Sequence, residues 1–304
     1  MALSKIVWKD GEFIPLEEAV INVFSPSVQY GYGGFEGVRF YFCETKDGPA
    51  IFRLADHIDR LFYTAKQLEM EIPYSTDELT KAICRLILAC QMGEGYIRPC
   101  IVYTDPELGL RFEGERASVF IVLSSWEKKL KHESLRAKIS PVVRIHPDST
   151  DVNAKITGHY PNSIRALRDA RRSGYDEAIL LDYQGYVAEA SAENLFIVTE
   201  GDLFTPPLGT ILPGITRDSI ITLARDYGYK VSEGHLTADD LLASDEVFVC
   251  GTAMEILSVV SIDKTPIGCG SPGEITEFFA GLYRNVVRGR RKRYHHWLTF
   301  VNKS

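Results

Sequence analysis

An α+β architecture in two domains is predicted by three features of this 304-residue sequence. Strand-like and helix-like apolar periodicities are interleaved, but without the regular alternation that a doubly wound sheet requires. A charged stretch at 126–133, Trp-Glu-Lys-Lys-Leu-Lys-His-Glu, interrupts the apolar pattern near mid-chain. The length also exceeds the roughly 100–200 residues of one ordinary domain. The expected division is a small N-terminal α+β domain at 1–125, an interdomain loop at 126–133 and a large C-terminal α+β domain at 134–304.

The elements follow in order. Ile6-Val7-Trp8 is a short apolar run closed by the turn Asp10-Gly11, and 38–42 alternates as a strand leading to Asp47-Gly48. A helix is predicted from Asp56, where Ile58, Leu61, Phe62, Ala65 and Leu68 recur at helical spacing. Ser75-Thr76-Asp77-Glu78 is a capping-box pattern. It opens a second helix carrying Leu79, Ala82, Ile83, Leu86, Ile87 and Cys90, which stops at Gly93. Strands are expected at 96–103 and 119–123. Beyond the charged stretch come a strand at 135–139 and a helix at 161–173, punctuated by Gly174. Further strands are expected at 178–181 and 195–198, then a helix at 217–227, strands at 246–250 and 256–261, and a last helix from Gly273.

Composition narrows the function classes. A net charge of −7 argues against a nucleic-acid partner. The one basic run, Arg288 to Arg293, reads as a solvated C-terminal tail. No stretch approaches the roughly 18 apolar residues of a membrane span, and the N-terminus lacks an apolar signal core. A cytoplasmic protein is the expectation. Six scattered cysteines without a C-x-x-C pair read as reduced, buried thiols and call for no metal.

Several segments carry chemistry. Tyr30-Gly31-Tyr32-Gly33-Gly34-Phe35-Glu36-Gly37 misses the dinucleotide fingerprint, since Glu36 stands where the last glycine belongs and a strand follows. It reads equally as a tight turn or as backbone approaching a ligand. In Leu212-Pro213-Gly214-Ile215-Thr216-Arg217 a turn delivers Thr216 into a helix's first turn, where free N–H groups suit phosphate. Plain N-capping is the simpler local reading. A similar turn lies at Gly251-Thr252-Ala253. Lys155 stands between a strand and a helix. A lysine taken alone reads as solvated surface, whereas one withdrawn from water is what Schiff-base chemistry needs. In 187–196, Glu189, Glu193 and Asn194 form either a polar turn or a carboxylate aimed at a buried cation.

Together these residues resemble the branched-chain aminotransferases, pyridoxal-phosphate enzymes of fold type IV. The resemblance rests on Phe35-Glu36-Gly37-x-Arg39, Tyr96-Ile97-Arg98-Pro99, Ala154-Lys155, Glu189-x-x-x-Glu193-Asn194-Leu195-Phe196, Leu212-Pro213-Gly214-Ile215-Thr216-Arg217 and Gly251-Thr252-Ala253-x-Glu255-Ile256. It runs in order from about residue 5 to residue 285.

The resemblance implies a cofactor between two domains, the second with a barrel-like sheet. It implies an internal aldimine at Lys155, which then shuttles the Cα proton, with Glu189 at the pyridine nitrogen and Tyr160 at the ring hydroxyl. Arg60, Ile215, Thr216 and Thr252 would meet the phosphate, and Leu212 the ring face. Substrate would meet Tyr30, Phe35, Gly37, Arg39, Tyr96, Arg98, Trp126, Thr252 and Ala253. Among these, Tyr96 and the Thr252-Ala253 amides would hold the α-carboxylate and Arg98 the side-chain carboxylate of glutamate. The reaction implied is reversible transamination between leucine, isoleucine or valine and 2-oxoglutarate, by at least a homodimer in which Tyr30 can cross to the neighbouring subunit. The partners would be amino acids and 2-oxo acids, with no membrane.

Two departures bear on the pocket. Lys128-Lys129 stand where the family often has an aromatic residue, and 103–110 differs from the familiar loop. Relatives on the same fold (D-amino-acid and amine transaminases, and aminodeoxychorismate lyase) share the lysine and glutamate. Tyr96-Ile97-Arg98-Pro99 together with Phe35-Glu36-Gly37-x-Arg39 favours the branched-chain type. A non-catalytic binding protein is the reading from another class, and intact Lys155, Glu189, Tyr160 and Arg60 argue against it.

Overall fold

Local signals start most elements of the fold, obtained as a computed structural model that describes residues 3–111, 117–125 and 134–301. Trp126, Lys128-Lys129 and the loop expected at 126–133 lie outside the described residues. In chain order the first elements are β1 (Ile6–Lys9), β2 (Glu12–Pro15), α1 (Pro26–Tyr30), β3 (Gly33–Phe35), β4 (Val38–Cys43) and β5 (Gly48–Phe52). Then come α2 (Leu54–Gln67), α3 (Thr76–Ala89), β6 (Gly95–Val102) and β7 (Ser118–Ser124). The helix expected from Asp56 begins two residues earlier. Arg53 takes a left-handed conformation (φ 50°) and its guanidinium grips Asp56 through Nη2–Oδ1 at 2.7 Å and Nε–Oδ2 at 2.9 Å. The capping box at Ser75 and Glu78 is formed in both directions. That helix ends at Ala89 rather than Gly93, because Gln91 (φ 53°) makes the left-handed turn.

The later elements are β8 (Ser134–Ile139), α4 (Tyr160–Arg172), β9 (Glu177–Leu181), β10 (Val187–Ala190), β11 (Asn194–Thr199), β12 (Asp202–Thr205), α5 (Ile215–Asp226) and β13 (Val231–Glu233). After them follow α6 (Ala238–Ala243), β14 (Glu246–Gly251), β15 (Glu255–Ile262), β16 (Thr265–Pro266), α7 (Glu274–Val287) and β17 (Leu298–Phe300). The chain divides into two compact units. One comprises Met1–Lys128, Ala154–Gly158 and Asn285–Ser304, the other Lys129–Asn153 and His159–Arg284.

Among the described residues, the first unit holds an antiparallel sheet ordered β17–β5–β4–β6–β7–β1–β2, with β3 beside β6. The amphipathic helices α2 and α3 bury Leu54, Ile58, Leu61, Leu79, Ile83 and Leu86 with Val38, Phe40, Ile97 and Ile121 of this sheet. Each such burial contributes roughly 1.5–3 kcal/mol. The second unit holds a sheet ordered β10–β9–β8–β15–β14–β11–β12–β13, with β16 beside β15. Its β8 runs parallel to both β9 and β15, and β12 parallel to β13. Ala137, Ile179, Leu195, Val247 and Val259 lie in its core.

The expected boundary at 134–304 is corrected in two places. Residues 154–158 join the first unit because Ile156 bridges Gly34 and Phe35 N donates to Lys155 O. Residues 285–304 join it because β17 pairs with β5 and Arg288 pairs with Glu94 at 3.0 Å. The run from Arg288 is therefore folded rather than a free tail, although Arg290 to Arg293 are exposed to solvent: Arg290 binds Glu44 at 2.8 Å, and a short 3-10 helix spans Lys292–Trp297. The thiols are all free, but Cys269 is exposed rather than buried. Glu189 lies within a strand, not in a polar turn.

Candidate active site

In the first unit, segment 154–158 is laid against the glycine-rich turn. Gly31 has φ 66°, and a Cβ there would come within 3.1 Å of Gly158 Cα, so only glycine lets the two backbones approach. Thr157 Oγ1 donates to Gly31 O and Gly33 O at 2.5 and 3.0 Å. This brings Lys155 Nζ to 5.2 Å from the centroid of the buried Phe35 ring. The guanidinium of Arg98 sits 4.4 Å from the same centroid and donates through Nη2 to the Tyr96 hydroxyl at 2.9 Å. Gly37 completes the cluster, since a Cβ there would overlap the Tyr96 hydroxyl. Arg39 stands opposite Tyr96 in the β4–β6 register, with its guanidinium bound to Glu94 at 3.1 Å. Phe35, Gly37, Tyr96, Arg98 and Lys155 are thus one group. An amine beside an aromatic face and a fixed guanidinium suits carbonyl chemistry on an anionic substrate.

Arg60 lies on α2, where its Nε and Nη2 grip Glu36 at 2.6 and 2.9 Å. His57, one turn earlier, lies 2.7 Å from Glu36 Oε2 through Nδ1. Burial alone would push the Glu36 carboxyl up, but Arg60 and His57 outweigh it and hold it far below the carboxylate range. Burial also lowers the His57 pKa, so a neutral imidazole donates to an ionised Glu36.

The second unit assembles a different group. Glu189 on β10 is buried, and Arg144 Nε donates to its Oε1 at 2.7 Å. Its Oε2 accepts from Asn194 Nδ2 at 3.1 Å and from the Leu212 amide at 3.2 Å. Asn194 also donates to Leu212 O at 3.0 Å, and its Oδ1 fills the space that a Cβ on Gly214 would take. Gly214 is the N-cap of α5 and offers no side-chain cap, so side-chain N-capping is absent there. Ile215 and the buried Thr216 form the uncapped first turn. Thr252 and Ala253 lie in the tight turn between β14 and β15, and Tyr160 opens α4. Just before it, burial and then Arg144 pull the His159 imidazole down to about 4. Its Nε2 meets Thr150 Oγ1 at 2.8 Å.

Tyr30 ends α1, 42% exposed, its hydroxyl accepting from the Gly109 amide at 3.0 Å. Glu36, His57, Thr64, Arg144 and the Asn194 bridge escaped the sequence reading. Two of these leave a trace in the sequence: His57 and Thr64 are polar residues on the core-facing stripe of α2. Arg144 shows only as a lone cation in Val142-Val143-Arg144-Ile145.

Such a fold and site define a class of enzyme. The family model described as Amino-transferase class IV matches residues 33–262. The branched-chain-amino-acid aminotransferase of Pseudomonas aeruginosa is 39% identical over 300 residues, covering 97% of each chain. The crystal structure of the branched-chain aminotransferase from Thermoproteus uzoniensis with norvaline superposes with a TM-score of 0.94, at 42% identity over 98% of this chain and 100% of that one. The branched-chain amino acid aminotransferase from Thermobaculum terrenum, solved in its PLP-bound holo form, gives 0.93, at 32% identity over 100% of both chains. The chain belongs to the class IV aminotransferases and, within them, to the branched-chain-amino-acid aminotransferase family.

Proposed function

We propose that the protein interconverts L-branched-chain amino acids and 2-oxoglutarate with the branched 2-oxo acids and L-glutamate, using pyridoxal phosphate attached at Lys155. The observation that carries this reading is the Lys155–Phe35–Arg98–Tyr96 cluster. The donors present fit the cofactor. A buried carboxylate with a bound guanidinium suits a protonated pyridine nitrogen, and an uncapped helix start with a buried threonine suits a phosphate. Arg144 Nη1 is buried without a hydrogen-bond partner among the described residues, as befits a site awaiting an acceptor.

When bound, pyridoxal phosphate supplies the electron sink that acidifies the substrate Cα–H. Lys155 Nζ would take that proton from Cα and deliver it to the cofactor carbon, and would run the same transfer in reverse with the second substrate. Glu189, bound by Arg144, Asn194 and the Leu212 amide, would hold a proton on the pyridine nitrogen. Tyr160 orients the ring through its hydroxyl, and Leu212 packs on the ring face. Arg60, the Ile215 and Thr216 amides, the Thr216 hydroxyl and Thr252 bind phosphate. Tyr96 and the Thr252-Ala253 turn orient the α-carboxylate, and Arg98 receives the second carboxylate of glutamate. Because Arg98 donates to the Tyr96 hydroxyl and lies over the Phe35 face, its charge keeps these contacts when an apolar side chain lies beside it. Phe35, Tyr30 and Trp126 supply apolar walls, with Gly37 and Arg39 shaping the wall around Tyr96.

We further propose at least a homodimer. Val20, Val23, Phe24 and Val28 are 50–65% exposed, and Leu108 and Leu110 are 67% and 81% exposed. The two segments are tied together by Glu107 N to Phe24 O and by Gly109 N to Tyr30, so one apolar surface remains to be covered. Among the described residues no helix is long and apolar enough to cross a membrane, and we propose a cytoplasmic location. Half-reactions with L-leucine, L-glutamate, D-alanine and a simple amine test the substrate assignment. L-leucine and L-glutamate should bleach the bound chromophore, and bleaching by D-alanine but not by L-leucine would reject it.

A further inference from the structure

Two groups assigned above to the carbonyl and the phosphate of the cofactor, the Lys155 amine and the Arg60 guanidinium, are linked by a side chain with no role so far. Thr64 is fully buried in α2, one turn beyond Arg60. Its hydroxyl donates to Arg60 O at 2.9 Å and accepts from the Lys155 backbone N–H at 2.9 Å. The single hydroxyl proton is committed to the helix carbonyl, so a lone pair is left facing the Lys155 amide. The Thr64 methyl packs where a side chain on Gly34 would lie, and Gly34 is the residue bridged to Ile156. Thr64 therefore contacts the helix carrying Arg60, the strand carrying Phe35 and the segment carrying Lys155.

We propose that Thr64 is a positioning residue that sets the separation of the Lys155 amine from the Arg60 guanidinium, so that one ligand engages both. The proposal rests on the reading of Lys155 and Arg60 given above. Its physical content is effective concentration: a ligand held at one end gains from the second anchor only if the spacing matches. A hydroxyl that merely stabilised the fold would weaken ligands with one anchor and with two alike.

The test compares pyridoxal phosphate with pyridoxal, which lacks the phosphate, on the full chain freed of cofactor. Dissociation constants are read from the absorbance change on loading, and the preference is their ratio. Thr64→Val removes the hydroxyl at nearly constant shape. Loss of one hydrogen bond should cut the preference for the phosphorylated ligand roughly tenfold, while Thr64→Ser keeps it. Should Thr64→Val not fold, Thr64→Ser against Thr64→Ala, which differ by one oxygen atom, carries the same comparison. An unchanged preference in Thr64→Val, or an equal loss in Thr64→Ser, overturns the proposal. Arg60→Met separates the two levels: if it leaves the preference intact, the Arg60 assignment has failed. If it abolishes the preference and Thr64→Val does not, only the role of Thr64 has failed.

Discussion

Replacing Arg144 by Met asks whether the carboxylate at position 189 is held ionised by its neighbours. Arg144 and Glu189 meet at 2.7 Å with side chains only 7% and 9% exposed. Met keeps an apolar stem and removes the charge. Glu189 Oε2 retains Asn194 and the Leu212 amide, but Oε1 loses its cation. Breaking a buried pair from one side costs about 3–5 kcal/mol, because the remaining buried charge loses its counter-charge. Two charges about 4 Å apart at an effective permittivity near 20 attract by about 4 kcal/mol, the same scale. The assay is urea unfolding of the cofactor-free chain at pH 7 for wild type, Arg144→Met, Glu189→Gln and the double variant. Arg144→Met should lose about 3 kcal/mol, and adding Glu189→Gln should recover about 2 kcal/mol of it. Losses that simply add, to within about 0.5 kcal/mol, would show the two residues to be uncoupled and refute the reasoning.

Three other perturbations follow from the same geometry. Gly37→Ala drives a methyl into the Tyr96 hydroxyl; KM for L-leucine and L-glutamate should rise about tenfold with cofactor loading unchanged, and an unaltered KM would remove Tyr96 from carboxylate binding. The His159 imidazole is held at about 4 in the folded chain, first by burial and then by Arg144. The unfolded chain takes up this proton near pH 6.5, so this contribution to stability is lost as pH falls from about 6.5 towards 4. After discounting for solvent screening the increment is roughly 2 kcal/mol; His159→Asn should abolish it in urea titrations at pH 7 and pH 4, and an unchanged pH difference counts against the assignment. Glu189→Gln should keep the cofactor but lose most turnover, since a neutral amide no longer holds the ring nitrogen protonated. Full turnover in that variant would contradict the role given to Glu189.

Legibility of the sequence followed the range of the forces involved. The helix opened by Ser75 was readable because its capping box is local, and both directions of the box are formed. The helix start at Leu54 was not, since it depends on Arg53 adopting a left-handed backbone stabilised by Asp56. Short strands such as β3 and β17 have three residues each and exist through pairing with β6 and β5, which no local pattern reports. The same holds within the site. Lys155, Glu189 and Thr216 were picked out by motif, but Glu36, Arg144 and Thr64 act through partners 24, 45 and 91 residues away. Sequence separation hides such contacts. What betrays them is a polar residue on an apolar face, as with His57 and Thr64 on α2.

Covalent trapping tests the assignment of Lys155 most directly. The full chain is loaded with pyridoxal phosphate, reduced with borohydride, digested and mapped by mass. The phosphopyridoxyl label should appear on the peptide containing Lys155, and Lys155→Ala should take up none. A label on another lysine, or a chain that remains colourless after loading, would contradict the account.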